Sequence, residues 1–331
     1  MLILANEMTS RILLVFFLIS PLFANSQGCS DAGFCTMGAM KPDQPYNKRV
    51  AVKLQSAEIS FYRGKTTLTP IVYVATADLN FRVGRKNTFQ VKLPYQWVTG
   101  RLADTHGTSD ISLCFTRNIY SSDKFSLNLS LGGKIPTNHS DKSTAAKNGE
   151  PEQWPLPMYY QTSLGTYDII SGISLINRKW LLATGIQIPL NHNRNQFVWS
   201  SWAEAPGDLK GYVDEYNQAK DLKRGIDVML RVERNFRFSK MNFSVGALPI
   251  YRVVPDEFVK SGTEAGSPLQ KVKPKDATTG LALSAIGTVG YNFDVRSGVK
   301  LLVGRKITQR ETNPDGLTRH FVSSITYIYR F

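Results

Sequence analysis

The sequence predicts an all-β protein that closes into a transmembrane antiparallel up-and-down β-barrel of about 12 strands, or of 14 as the alternative, with a plug-like N-terminal segment. Three observations predict this class. Apolar and polar residues alternate with a period of two, the connections are short and long in turn, and the chain begins with an export signal. A period of two places apolar residues on one face of a strand and polar residues on the other.

The export signal is predicted over residues 1–26. Arg11 precedes the apolar run 12–19, and the small residues Ala24 and Ser26 close the segment. A basic flank, a short apolar run and small residues before the cleavage site are typical of a secretory signal peptide. We expect cleavage after Ser26. The alternative, a lipid anchor at Cys29, fits poorly with the residues that precede that cysteine.

Residues 27–48 show no periodicity and are predicted to lie in the periplasm or to fold into the barrel as a plug. A disordered leader is the alternative. Export leads to an oxidising compartment, so we predict a disulfide between Cys29 and Cys35, with two unpaired thiols as the alternative. Cys114 lies in an alternating segment and is predicted to be a small buried residue.

The barrel is predicted over residues 49–331. In 125–132, for example, Phe and Leu alternate with Ser, Asn and Gly. Many alternating segments exceed about ten residues, whereas strands of soluble proteins average about five or six and a membrane-crossing strand needs about 9–11. The predicted strands are 49–62, 69–83, 87–99, 109–120, 123–136, 158–175, 178–190, 224–238, 241–254, 280–293, 297–308 and 319–331.

Short and long connections alternate along the chain. Short ones are predicted near 84–86, 121–122, 177–178, 239–240 and 295–297, and long ones near 100–108, 137–157, 191–223, 255–279 and 309–318. The first connection on the long side, near 64–67, is itself short. This order is typical of an up-and-down barrel, in which one end carries turns and the other carries loops.

The last strand is predicted to carry an assembly signal. Tyr327, Tyr329 and the final Phe331 share one face with other apolar residues. An aromatic row that ends in Phe resembles the signal of bacterial outer-membrane barrels, while an edge strand of a secreted β-protein is the alternative. The expected location is therefore the bacterial outer membrane, and the expected partners are its lipid and the barrel-assembly machinery.

The polar face of each strand is predicted to line the lumen, because an Arg or Lys that faces lipid at mid-depth costs about 2–4 kcal/mol. The chain has a net charge of +14. This charge favours a passage for anionic solutes, although the side chains could instead form ladders that fill the barrel, or bind anionic lipid headgroups. Nucleic acid is not expected, since the charges are dispersed. The lumen-lining candidates are Asp78, Arg82, Lys92, Lys134, Asp227, Arg231, Glu233, Arg237, Arg252, Lys300, Lys306 and Arg330.

Enzyme chemistry finds little support in the sequence. The four histidines are scattered, and neither a His-Glu-x-x-His nor a Gly-x-Ser-x-Gly pattern occurs. We therefore predict that the chain is not an enzyme and that it holds neither a metal nor a cofactor.

Motifs between residues 94 and 190 resemble a known family. Pro94-Tyr95-Gln96-Trp97-Val98 leads to Gly107-Thr108-Ser109-Asp110, then to Lys134-Ile135-Pro136-Thr137 and Leu164-Gly165-Thr166-Tyr167. This order is similar to the outer-membrane proteins of meta-pathway aromatic degradation, relatives of the long-chain fatty-acid transporters. The chain departs from their pattern where glycine is expected, at Ser109, Asn138 and Tyr167. The start of the mature chain resembles exported proteins of the Bacteroidetes type.

The resemblance implies a barrel with an N-terminal plug that passes small, often hydrophobic solutes. Together with the basic charge, it predicts a passive channel for small solutes that are hydrophobic or anionic. The alternative is a non-conducting barrel that serves adhesion or structure through the loops 191–223 and 255–279.

Overall fold

The structure, a computed structural model, describes residues 53–66, 68, 70–144, 154–317 and 319–331. The predicted signal peptide, the segment 27–48 and the cysteines Cys29 and Cys35 lie outside these residues. The strands of the described part are β1 (Lys53–Thr66), β2 (Ile71–Val83), β3 (Asn87–Thr99), β4 (Asp104–Thr108), β5 (Ile111–Ser121), β6 (Phe125–Ile135), β7 (Asp168–Asn177), β8 (Trp180–Pro189), β9 (Lys220–Lys223), β10 (Asp227–Arg237), β11 (Met241–Arg252), β12 (Glu257–Lys260), β13 (Gln270–Val272), β14 (Gly280–Asn292), β15 (Ser297–Thr308) and β16 (Arg319–Arg330).

Twelve of these strands form a closed antiparallel barrel. Their order is β1, β2, β3, β5, β6, β7, β8, β10, β11, β14, β15 and β16, and β16 pairs with β1 to close the ring. The short strand β4 pairs with the end of β3, and β9, β12 and β13 form a separate three-stranded sheet. The predicted barrel of 12 strands is therefore confirmed.

Helical structure in the described residues is confined to the long connections. Two short α-helices span Gly207–Val213 and Lys275–Thr278, and two 3-10 turns span Met158–Tyr160 and Trp199–Trp202. Among the described residues, no helix has the length and the apolar character needed to cross a bilayer.

Five short connections lie at one end of the barrel, which we call the turn end, and the long connections lie at the other, the loop end. Local chemistry explains two of the turns. Gly84 has a φ of +69°, a left-handed conformation that glycine adopts at little cost. At the turn between β14 and β15, Asp294 accepts hydrogen bonds from the backbone N–H groups of Arg296 (2.6 Å) and Ser297 (2.8 Å). Bonds from Ser297 and Arg296 also lower the pKa of Asp294.

The outer face of the barrel is apolar. Side chains such as Ile59 (67% exposed) and Leu131 (59% exposed) stand on it without cover from other described residues. Aromatic residues concentrate near both ends of this face. Those near the turn end are Tyr120, Phe125, Trp180, Phe236, Phe238, Phe243, Tyr291, Phe293, Tyr329 and Phe331, and those near the loop end are Phe61, Tyr73, Tyr95, Trp97, Tyr167 and Tyr251.

Two predicted strand boundaries were wrong. The segment 158–175 is not one strand, because β7 begins only at Asp168 and Met158–Tyr160 form a 3-10 turn. The first strand, described from Lys53 onwards, ends at Thr66 rather than at 62. It passes through Gly64, where it pairs with both β2 and β16, so the first connection at the loop end follows Thr66.

Candidate functional site

All twelve predicted lumen-lining residues lie at inward-facing positions of their strands. They differ only in how deeply their side chains are buried. Nine are buried: Asp78, Lys92, Lys134, Asp227, Arg231, Glu233, Arg252, Lys300 and Lys306. Arg82 and Arg330 are half-buried, and Arg237 is exposed because it is the last residue of β10, at the turn end.

Most inward carboxylates pair with a neighbouring cation. Lys92 lies 3.7 Å from Asp78, which also accepts bonds from the Gln90 amide at 2.8 and 3.0 Å. Lower on the opposite wall, Arg231 pairs with Glu233. Such pairs keep buried charges compensated, which a low-dielectric interior requires.

The largest charge cluster centres on Arg252, at the loop end of β11. Its guanidinium donates to Asp227 at 2.6 and 2.8 Å, to both oxygens of Asp256 at 2.6 and 2.7 Å, and to Asp315 at 3.0 Å. Arg310 lies 3.6 Å from Asp315 and 3.8 Å from Asp256. Arg252 therefore ties the barrel wall to two of the long loops.

The two loop carboxylates of this cluster differ in pKa. Burial raises the pKa of Asp256, and the nearby Arg252 offsets this only in part. Burial acts in the same direction on Asp315, but Arg252, Arg310 and Arg224 outweigh it and hold the pKa of that carboxyl well below its usual range.

A second buried pair joins the loop before β10 to β7. Arg224 pairs with Asp168, which also accepts a bond from the Gln187 amide at 2.5 Å. Nearby, Lys134 lies 3.4 Å from Asp110, and the Ser163 hydroxyl donates to Asp110 at 2.5 Å. The long loops are thus fixed to the barrel mouth by charged bonds.

Two of the long loops also cover the mouth with an apolar cluster, which we call the cap (154–160 and 197–216). Trp202 stacks on Trp154 at 5.6 Å, and its ring N–H donates to the carbonyl of Pro155 at 2.8 Å. Tyr160 and Tyr216 share a hydroxyl bond of 3.0 Å. The cluster rests on Val72 and Val98 of β2 and β3, so it closes part of the loop end.

A cavity lies beneath the cap, between β2, β3 and the loops 158–164 and 315–317. Its wall combines apolar residues such as Val74 and Leu164 with polar ones such as Lys92 and Gln161. The cavity has a volume of about 60 Å³, which leaves room for a few water molecules.

A row of buried apolar residues crosses the otherwise polar inner face of the barrel. Six buried residues contact one another there and form what we call the apolar belt: Cys114, Ile170, Ala183, Met229, Leu248 and Ile286. They lie on β5, β7, β8, β10, β11 and β14. The prediction that Cys114 is a small buried residue is confirmed.

Sequence reasoning missed the cap and the belt. The loop 191–223 was predicted only as a connection that could serve adhesion or structure, yet its Trp202 is buried and its Trp199 is half-buried. The apolar belt lies on the inner face, where the alternation places polar residues. Its only signal in the sequence was an occasional apolar residue at an inward position.

The described residues hold no group of three or more His, Cys, Asp or Glu placed to bind a metal ion. The lack of a metal, of a cofactor and of enzymatic activity stays a prediction.

Comparison with known proteins supports the fold. No family model and no curated protein sequence matches the chain. An outer-membrane channel from Pseudomonas putida F1 has a similar structure, with a TM-score of 0.57 and 11% identity over 87% of this chain and 99% of that chain. This likeness shows that the two chains share the closed antiparallel barrel.

Two further solved structures are less similar. The translocator domain of the autotransporter NalP from Neisseria meningitidis has a TM-score of 0.45 and 10% identity, over 87% of this chain and 90% of that one. The NanC porin has a TM-score of 0.44 and 6% identity, over 84% and 98% of the two chains. Both scores lie below 0.5, which is too low to infer a shared fold from them.

Proposed function

We propose that the protein is a passive channel of the bacterial outer membrane for small solutes. The observation that carries this proposal is a closed barrel whose outer face is apolar while its inner face holds charges. An apolar band between two rows of aromatic residues is typical of a barrel in a bilayer. Closure supports the same conclusion, because strands in hydrocarbon must leave no unpaired edge.

The solutes of this channel are hydrophobic or anionic. The apolar belt offers a surface to the first kind, and the surplus of inward cations favours the second. The twelve predicted lumen-lining residues contact the solute or set the charge of its path. The proposal also assigns the protein to the superfamily of meta-pathway and long-chain fatty-acid transporters and to the Bacteroidetes type. Tyr327, Tyr329 and Phe331 form the signal that the barrel-assembly machinery recognises.

A specific observation favours a second candidate, a non-conducting barrel that acts through its loops. The inner wall is tightly buried, with Met229, Arg231 and Glu233 at 0–1% exposure, and the cap covers part of the loop end. A packed and paired interior is what a structural barrel needs. If the protein is a channel, a barrel with this packed interior is its closed state. Such a channel opens when the cap or the segment 27–48 moves.

Single-channel recording in planar bilayers tests the two candidates. Three forms are compared: the mature chain, the chain without residues 27–48, and Trp202→Ala, which loosens the cap. A channel predicts conductance in at least one form, larger after deletion if the segment is a plug. Folding is checked by the heat-dependent gel mobility of barrels. Folded protein that conducts in none of the three forms overturns the channel and supports the non-conducting barrel.

A further inference from the structure

A fourth segment extends the small sheet at the loop end of the barrel. The strands of this sheet lie in the order β13, β12, β9, and residues 193–197 run antiparallel to β9 along its other edge. The backbone N–H of Asn193 donates to the carbonyl of Leu222 at 2.8 Å, and the N–H of Asp221 donates to the carbonyl of Asn195 at 2.9 Å. The four segments therefore form one layer with an inner and an outer face.

The inner face of this layer is apolar and packs on the barrel mouth. Leu222 and Phe258 are buried in a cluster with Met158 and Leu164, and Val272 packs against the same cluster. Met158 and Leu164 also line the cavity beneath the cap. The outer face of the layer is therefore turned away from the barrel interior.

Five cations lie on this outer face, which we call the basic face: Arg194, Lys220, Lys223, Lys271 and Lys273. Their strand register places them side by side. Lys223 lies opposite Glu257. Lys220 and Lys271 lie on either side of Val259. Exposed and buried residues alternate along 192–197, which puts Arg194 on the same face as Gln196, and the Gln196 side chain accepts a bond from Lys220.

The cations of the basic face outnumber the carboxylates around them. Glu257 pairs with Lys271 and Lys273. Three other cations form no ion pair with any carboxylate of the described residues: Arg194, Lys220 and Lys223. Even if the exposed Asp221 is counted, five cations face two carboxylates. Like charges held on one sheet repel each other, so the face favours a bound anion.

The basic face begins where the apolar outer surface of the barrel ends. Between β11 and β12, Val253 and Val254 are 45% and 42% exposed, and Leu190, directly after β8, is 53% exposed. In a bilayer, the charged headgroups lie directly beyond the hydrocarbon core, and an anionic membrane surface attracts basic side chains close to it. The layer therefore holds its cations at the height of the headgroups.

We propose that the basic face binds the phosphate groups of lipids in the outer leaflet of the outer membrane. This goes beyond the channel function and rests only on a barrel that sits in that membrane with its long loops outward. Lysine and arginine side chains both bind phosphate by charge-assisted hydrogen bonds. A phosphorylated lipid fits the cations with its headgroup and the apolar wall below them with its acyl chains, whereas a soluble polyanion fits the cations alone.

Thermophoresis of the full mature protein, folded in a zwitterionic detergent, measures this binding. The probes are bisphosphorylated lipid A, the same lipid after removal of its phosphates, and polygalacturonate as a soluble polyanion. We expect the phosphorylated lipid to bind about tenfold more tightly than either of the others, because only it carries both phosphates and acyl chains. Raising the NaCl concentration from about 0.1 to about 0.5 M should weaken its binding severalfold, because salt screens exposed charges.

Two variants change the charge of the basic face in opposite directions. K220Q/K223Q removes two cations that no carboxylate pairs with and should weaken lipid binding about fivefold, while E257Q removes the central carboxylate and should tighten it about twofold. The matched control K210Q/K260Q removes two exposed lysines of the loop end that lie outside the basic face, and it should change binding less than twofold.

Equal affinity for the lipid with and without its phosphates would overturn the proposal. Unchanged affinity in folded K220Q/K223Q, or an equal loss in K210Q/K260Q, would overturn it as well. Polygalacturonate that binds as tightly through the same lysines would assign the face to a soluble polysaccharide instead. No probe has to cross the barrel, so a failure of the channel function in bilayer recordings leaves the lipid site standing.

Discussion

Replacement of Arg252 by Gln tests how the loops are held on the barrel. In the structure this side chain is 1% exposed and bonds three carboxylates, those of Asp227, Asp256 and Asp315. Glutamine is too short and uncharged, so the carboxylates would stay buried with only Arg310 and, for Asp315, Arg224 as nearby cations. Breaking a buried ion pair by removing one partner costs about 3–5 kcal/mol.

Urea unfolding of the detergent-folded protein, followed by tryptophan fluorescence, measures this cost. With an m-value of about 3 kcal/mol/M, the unfolding midpoint of Arg252→Gln should fall by about 1–1.7 M. The exposed turn residue Arg178 provides the control, and Arg178→Gln should leave the midpoint unchanged.

The pH dependence separates a charge effect from a loss of packing. In the wild type, Arg252 and Arg310 hold the pKa of Asp315 low, so its stabilisation is present above the pKa of the unfolded chain and is lost as pH falls through the folded value. In the variant, the uncompensated carboxylates take up protons more readily, so lowering the pH from 7 to 4 should narrow the gap between the two proteins. A midpoint equal to that of the wild type, or a gap that stays constant with pH, would refute this reasoning.

Three further predictions follow from other parts of the molecule. Gly132→Val should prevent barrel folding, because a Cβ there would lie 2.4 Å from the carbonyl oxygen of Leu113; gel mobility reads this out, and a folded barrel would contradict it. Lys271 and Lys273 lower the pKa of Glu257 to about 2, so carbon NMR should show its carboxyl titrating near 2. The stability that these ion pairs contribute should be lost as pH falls from about 4.5 towards 2. A titration midpoint near 4.3 would contradict the ion pairs of Glu257 with the two lysines. Trp202→Ala should raise hydrogen exchange in the cap alone, and equal exchange would show that the cap does not depend on this ring.

The barrel strands could be predicted from the sequence because their physics is local. A strand with one lipid-facing and one inward face must alternate, and a two- or three-residue turn must contain residues that allow it, as at Gly84. For this reason β3 and β15 have the bounds that the alternation predicts, 87–99 and 297–308. The same rule explains why the polar residues of each strand lie on its inward face.

The cap could not be predicted in this way, because its order comes from contacts between distant segments. Tyr160 meets Tyr216, and Trp154 meets Trp202, across more than forty residues of chain. Local pattern made 158–167 part of a strand, whereas those residues are apolar because they pack against another loop. The pairing of Arg252 with Asp315 has the same non-local origin.

Site-directed spin labelling in liposomes tests the central claim most directly. With Cys29, Cys35 and Cys114 replaced by Ser, a label is placed at Leu131 on the outer face or at the neighbouring Ser130 on the inner face. We expect the label at Leu131 to collide with oxygen dissolved in the lipid and not with a water-soluble nickel complex, and the label at Ser130 to lack this lipid signature. Strong collision with nickel at Leu131, or the same oxygen-to-nickel ratio at both positions, would contradict a barrel that faces lipid outside and encloses its charges.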